Sequence, residues 1–350
     1  MKQLFDEPEN RSSHSTLVPT LGGVSIFASI IISSSLFVNE RFVDFDLLNA
    51  AMVILFFFGI KDDILMISPV KKFIAQIVSA LIISIGANVR IPHMYDILGF
   101  GEIPYWISIV ITVFVIILII NSFNLIDGVD GLAASVGIVS SLVLGYWFYV
   151  NEYNSLALLS ASLFGSLVAF LRYNFSKKNK IFMGDTGSMI VGFIVAVLTI
   201  EFIRHNGIGL INGGKEIITA PVLAISILII PLIDTFRVFM VRLLNKKSPF
   251  KPDKNHIHHR LLSLGLSHAK TTIMMVVANF IFILLAYHMK DTGIDKFILL
   301  IVSLALFVSS IPFFIKTKEE KMIEHQAETP VIKPFFSKNP GGSNKKKVNG

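Results

Sequence analysis

The chain has 350 residues, 53% of them hydrophobic and 16% charged, with a formal net charge of +7 and a mean hydropathy of +0.70. A soluble domain keeps about a quarter of its residues charged, so this apolar excess excludes one water-soluble core and points to lipid as the solvent. With no cysteine in the chain, disulfides, thiolate nucleophiles and Cys-ligated metals are excluded, and the positive charge reads as loop asymmetry rather than nucleic-acid binding.

In chain order, the opening run Met1-Lys2-Gln3-Leu4-Phe5-Asp6 is polar and does not form a signal peptide. Ten apolar stretches follow, at or near the roughly 20 residues a span needs: 22–38, 45–60, 73–89, 103–120, 132–150, 156–171, 189–203, 217–236, 271–287 and 297–315. The expected fold is all-α, a polytopic transmembrane bundle of about ten spans. Residues 1–315 form one membrane domain, and 316–350 form a polar, Lys-rich tail expected to be disordered. Threaded alternately, one set of connections holds 25 of the 31 Lys and Arg residues, and 17 against 6 without the tail. The positive-inside rule assigns that set to the cytoplasm.

The dense polar clusters all fall in the same set. Asp62-Asp63 follows the second span; adjacent carboxylates repel unless a cation or proton separates them, though a solvated helix end is the simpler alternative. In Asn121-Ser122-Phe123-Asn124-Leu125-Ile126-Asp127-Gly128-Val129-Asp130-Gly131, a helix would align Asn124, Asp127 and Asp130 along one side. Polar groups at membrane depth are costly and tend to be functional. Phe182-Met183-Gly184-Asp185-Thr186-Gly187-Ser188 precedes a span and suits a helix start with Asp185 near its N-cap. Oxygen donors of this kind suit Mg²⁺ or Mn²⁺ better than zinc. In Pro252-Asp253-Lys254-Asn255-His256-Ile257-His258-His259-Arg260, a helix starting near Asp253 would put His256, His259 and Arg260 on one face at its positive end. That is an anion site suited to a diphosphate. A zinc site and a basic interfacial helix are the competing readings. Carboxylates and amides for a cation, with cations for phosphates, are what phosphoryl transfer needs.

These motifs resemble those of the polyprenyl-phosphate N-acetylhexosamine-1-phosphate transferases. The resemblance runs from Asp6-Glu7-Pro8 with Arg11 and His14, through Pro19-Thr20-Leu21-Gly22-Gly23, Asp62-Asp63, the Asn124/Asp127/Asp130 run and Phe182-Met183-Gly184-Asp185, to the His256–Arg260 run. The branch that loads muramyl-pentapeptide carries His-His-His-Phe-Glu in the last motif. His256-Ile257-His258-His259-Arg260 looks instead like the branch that transfers GlcNAc-1-phosphate and starts O-antigen, enterobacterial common antigen or teichoic acid linkage units. The resemblance implies a UDP-sugar donor, undecaprenyl phosphate as acceptor, UMP as product and a bacterial inner-membrane enzyme. By position, Asn124 and Asp185 resemble the Mg²⁺ ligands, and Asp62 and Asp63 the pair near the lipid phosphate. Lys72 resembles a phosphate-contacting lysine, and Asp127 and Asp130 acids lining the nucleotide and metal site. Asn121, His256, His258, His259 and Arg260 resemble substrate-binding groups. Membrane lipids are expected partners; a second copy of the chain is an open arrangement, and nucleic acid is not expected.

The family pattern has a further span ahead of the Asp-x-Pro motif. Only five residues precede Asp6 here, so the expectation is a late start or a truncated chain. A CDP-alcohol phosphotransferase would need Asp-Gly-x-x-Ala-Arg, and an intramembrane aspartyl protease Gly-x-Gly-Asp; neither is present. A transporter is the non-enzyme rival, but its charges would sit mid-span. The spans here carry few, apart from Asp234, three positions before Arg237.

Overall fold

The computed structural model describes residues 5–6, 18–37, 45–211, 217, 219–246, 256–289 and 293–317. Glu7, Pro8, Arg11, His14, Asp253 and the tail beyond residue 317 lie outside the described residues.

Each apolar stretch forms a helix or a pair of helices. They are α1 (Gly22–Phe37), α2 (Phe45–Leu65), α3 (Pro69–Leu81, running into a π-turn at Ile82–Gly86), α4 (Tyr105–Ile126), α5 (Leu132–Val150), α6 (Asn154–Asn174) and α7 (Gly184–Ile211). Then come α8 (Ala220–Ile227), α9 (Ile229–Leu244), the short α10 (Ile257–Ser263), α11 (His268–His288) and α12 (Ile294–Phe314). Among the described residues, seven helices are long and apolar enough to cross a membrane, or eight if the bent pair α8–α9 counts as one span. The protein is therefore a polytopic membrane protein. The structure adds two small antiparallel hairpins to the expected all-α fold: β1 (Phe5–Asp6) with β2 (Val18–Pro19), and β3 (His93–Ile97) with β4 (Phe100–Glu102).

The bundle is built around α7. Within its spanning part, 94% of residues are buried by protein, against 28–44% in the other six spans. Helices α1, α2, α4 and α5 all pack on it. Lipid tails are as apolar as leucine, so helices in a membrane associate through close van der Waals packing at small residues rather than by expelling water. The α1–α7 crossing uses this device: a Cβ added to Gly23 would stand 2.3 Å from the Gly187 backbone nitrogen. The chain before α1 is tied to the α7 entry by backbone bonds, Gly22 N–H to Phe182 O at 3.0 Å and Gly23 N–H to Met183 O at 2.9 Å.

The stretch read as one span at 217–236 is bent by 78° between α8 and α9. Pro231 accounts for the break. In a continuous helix it would leave the Ile227 carbonyl without its donor, whereas in the first turn of a new helix no donor is required of it. The freed Ile227 carbonyl accepts from Asn279 Nδ2 of α11 at 3.2 Å, meeting the demand that backbone polar groups at membrane depth be satisfied.

Gly23→Ala should destabilise the protein by about 1–3 kcal/mol through overpacking, lowering its thermal midpoint in detergent by several degrees. Gly165→Ala, where an added Cβ meets nothing within 4 Å, should leave the midpoint unchanged.

Candidate active site

The chain ends of α2, α4 and α6 and the starts of α3, α5, α7 and α11 meet at one end of the bundle. Asp63 makes the tightest of these contacts. Its Oδ1 accepts the Asp185 backbone N–H at 2.7 Å, and its Oδ2 accepts the Thr186 N–H at 3.1 Å and the Thr186 hydroxyl at 2.5 Å. A helix start leaves four N–H groups unpaired and carries a partial positive charge. Asp63 satisfies both needs for α7 from another helix. Gly184 makes room for this: its φ is +71°, and a Cβ there would stand 2.8 Å from both Asp63 oxygens. Asp185 is thus in the capped first turn and is not itself the cap.

Asp62 points the other way. Its Oδ1 accepts the Ile67 N–H at 2.8 Å, and its Oδ2 lies 3.1 Å from Lys72 Nζ. The same ammonium is 2.8 Å from Asp185 Oδ1 and 3.5 Å from Asn124 Oδ1. Asn124 Nδ2 donates to Asp185 Oδ1 and, at 2.9 Å, to Ser188 Oγ. Asp62, Lys72, Asn124 and Asp185 therefore form one cluster drawn from four helices.

The expected alignment of Asn124, Asp127 and Asp130 is corrected. Helix α4 ends at Ile126 with Asp127 as its C-cap, and Gly131 is left-handed with φ +74°. Asp127 keeps its place by the cluster: burial, then the charges of Asp185, Asp63 and Asp130, push its carboxyl well above the usual carboxylate range. Asp130 turns to a separate pair. Its Oδ2 accepts from Lys180 Nζ at 2.6 Å, and His268 Nδ1 lies 3.5 Å away. Asn121 pairs with Gln76 of α3, its Nδ2 donating to Gln76 Oε1 at 2.8 Å.

The His run divides. Helix α10 begins at Ile257 with His256 as its N-cap residue. His256 and His258 are buried and face Asp234, with Nδ1 to Oδ2 distances of 3.3 and 3.1 Å. Asp234 thus pairs with these histidines, and the guanidinium of Arg237, three positions on, lies over the Phe313 ring at 3.4 Å. His259 rests on His258, ring centroids 4.4 Å apart. The Arg260 guanidinium donates to the Pro312 and Ile315 carbonyls at 3.2 and 2.8 Å, at the end of α12.

Asp62, Asp185 and Asn124 bring oxygen donors together around Lys72 Nζ, and oxygen donors are the kind that suit a hard cation. Lys180, His268, Gln76, Ser188 and Thr186 were not singled out from sequence. Only Lys180, in a basic loop just before the Asp185 motif, carried a readable signal.

The model of glycosyl transferase family 4 matches residues 46–203. The chain is 31% identical over 313 residues to a probable undecaprenyl-phosphate N-acetylglucosaminyl 1-phosphate transferase of Bacillus subtilis, covering 87% of this chain and 83% of that one. It is 30% identical to an undecaprenyl-phosphate alpha-N-acetylglucosaminyl 1-phosphate transferase of Yersinia pestis, covering 79% and 74%. The Escherichia coli K12 protein of the same description is 28% identical, covering 79% and 73%. With its membrane bundle and its acid-and-lysine cluster, the chain belongs to glycosyl transferase family 4 and is a sugar-phosphate transferase.

Proposed function

We propose that the protein transfers N-acetylglucosamine-1-phosphate from UDP-GlcNAc to undecaprenyl phosphate and releases UMP, at the cytoplasmic face of a bacterial inner membrane. The observation that carries this reading is Lys72 Nζ held between Asp62 and Asp185 at 3.1 and 2.8 Å, beside Asn124. Phosphoryl transfer is mostly positioning and charge neutralisation, and these groups provide both. The surrounding connections carry most of the Lys and Arg residues, which favours a cytoplasmic site among about ten membrane-crossing segments.

In this scheme an oxygen of the lipid phosphate attacks the β-phosphorus of the nucleotide sugar. A new P–O bond forms, the bond to the UMP oxygen breaks, and UMP leaves with the electron pair. Direct attack is preferred because no side chain is set out as a nucleophile. A monoester phosphate is largely ionised at neutral pH, so Asp62 acts by placing Lys72 more than by taking a proton. Lys72 contacts phosphate, Asp63 fixes the start of α7, and Asp127 lines the nucleotide side. Asp185 and Asn124 would hold Mg²⁺, which supplies charge neutralisation at the diphosphate.

UMP release by purified protein should require both UDP-GlcNAc and undecaprenyl phosphate, stop on chelation and return with Mg²⁺. Asp185→Asn should lower that release at least about 100-fold, the scale of losing one electrostatic catalytic group, with the melting midpoint kept. Near-normal turnover would remove Asp185 from the metal site.

Asp127 also predicts a pH dependence of stability. An acid whose folded pKa is raised binds more protons folded than unfolded between its ordinary value of 3.8 and the raised one. Its contribution is full below 3.8 and is lost as pH rises through the raised value. Melting midpoints of metal-free protein should therefore fall across that window. Asp127→Asn should flatten the slope, and Mg²⁺ should raise the wild-type midpoint most at the high-pH end. Equal slopes in wild type and variant would take Asp127 out of this role.

A further inference from the structure

At the end of the bundle away from Lys72, a cavity of about 320 Å³ opens among the described residues, with Asn88, Arg90, His93, Glu102 and Arg204 in its wall. That volume lies within the roughly 300–1,000 Å³ of small-ligand sites. Asp185 and Arg204 stand near opposite ends of α7, so at 1.5 Å of rise per residue the cavity is roughly 30 Å from the cluster. None of the motif residues lines it.

Both arginines are held by buried partners. Arg204 donates from Nε and Nη2 to Glu201 Oε2 at 3.2 and 2.7 Å, and Glu201 is fully buried in α7. Arg90 donates from Nη1 to the hydroxyl of the fully buried Ser108 at 3.3 Å and from Nε to Asn88 Oδ1 at 2.8 Å. Its guanidinium also lies 5.0 Å from the centre of the Tyr105 ring. These partners are all uncharged, so among the described residues Arg90 meets no carboxylate. Arg90 Nη2 and Arg204 Nη1 are left over for a ligand. His93 adds a neutral donor: its Nδ1 accepts the Tyr95 N–H at 2.7 Å, which puts the ring hydrogen on Nε2.

Glu102 shares the cavity wall with Arg90 but forms no ion pair with it, nor with any other cation among the described residues. One cavity thus holds an unmatched cation and an unmatched anion, set apart from each other. Its depth is marked by Tyr105 and Trp106, 39% and 69% exposed, which open α4 just after Ile103 of the cavity wall. Tyr and Trp concentrate where lipid headgroups meet water. Arginine matches the geometry of phosphate, and a carboxylate accepts from an ammonium. A ligand carrying both groups a few bonds apart satisfies the two sides at once.

We propose that this cavity is a headgroup site for a phosphoethanolamine lipid in the leaflet opposite the Lys72 cluster. The phosphate meets Arg90, Arg204 and the His93 Nε2–H, and the ammonium meets Glu102. The site goes beyond the transferase reading and does not depend on it.

Native mass spectrometry of the full chain in detergent resolves lipid adducts one at a time. The protein would be titrated with phosphatidylethanolamine, phosphatidylglycerol, phosphatidylcholine and free O-phosphoethanolamine. The first phosphatidylethanolamine adduct should form about 10-fold more tightly than any other, the scale of one charge-assisted hydrogen bond. Glu102→Gln should erase that preference by weakening phosphatidylethanolamine alone. Arg90→Gln should weaken phosphatidylethanolamine and phosphatidylglycerol together. Lys296 is exposed at the same end of the bundle, next to the Asp295 that accepts the Leu98 N–H, and lies outside the cavity; Lys296→Gln should change nothing. Equal affinities for the three lipids would overturn the proposal. So would a Lys296→Gln loss as large as that of Arg90→Gln, since general surface attraction would then suffice. Free O-phosphoethanolamine binding as tightly as the lipid would overturn the assignment to a lipid. If Arg90→Gln does not fold, Glu102→Gln at its exposed position decides alone, and an unchanged lipid ranking would sink the idea. The titration needs no turnover, so a protein that releases no UMP would count against the transferase reading and leave this inference standing.

Discussion

The site depends on one carboxylate closing the N-terminus of a helix from another helix. Asp63 takes the first N–H groups of α7, and α7 is the element around which the bundle is packed. Neighbouring residues on a helix point about 100° apart. Once Asp63 is committed to α7, Asp62 must face elsewhere, and it faces Lys72. Two adjacent acids that would repel each other in isolation are separated by function. One joins two helices, and the other brings a lysine to the first turn of α7, beside Asp185.

Membrane depth dictates much of the remaining detail. Every carbonyl released by a break has to find a donor, and Asn279 supplies one at the α8–α9 bend. The bend turns α9 so that Asp234 meets the start of α10. The short α10 then presents His258 to Gly128 in the Asp127–Gly131 turn. Arg260 reaches the open carbonyls at the end of α12, where a cation is electrostatically favoured.

Charge balance explains why this arrangement acts on phosphates. Asp62, Asp63, Asp127, Asp130 and Asp185 crowd one end of the bundle, with Lys72 and Lys180 as the lysines paired to them. Burial first, and then the charges of Asp185, Asp63 and Asp130, push the Asp127 carboxyl well above the usual carboxylate range.

Several properties were legible in the sequence alone because they depend on residue type and local order. Apolar excess marks a lipid solvent, Lys and Arg asymmetry marks one face, and each of the ten apolar stretches corresponds to a helix or helix pair. The motif residues Asp62, Lys72, Asn124 and Asp185 do converge. Hydropathy measures transfer into an apolar medium and is blind to whether that medium is lipid or protein; α7 reads like its neighbours, and only the tertiary structure makes it the centre. A three-residue spacing suggested that Asp130 stands with Asn124, but the helix stops at Ile126 and Lys180 takes Asp130 instead. Asp234 sits three positions from an arginine, and it also meets histidines more than twenty residues ahead. Partner choice among charged groups is set by long-range geometry, as in the Asp63–Thr186 contact across 123 positions, and no local pattern encodes it.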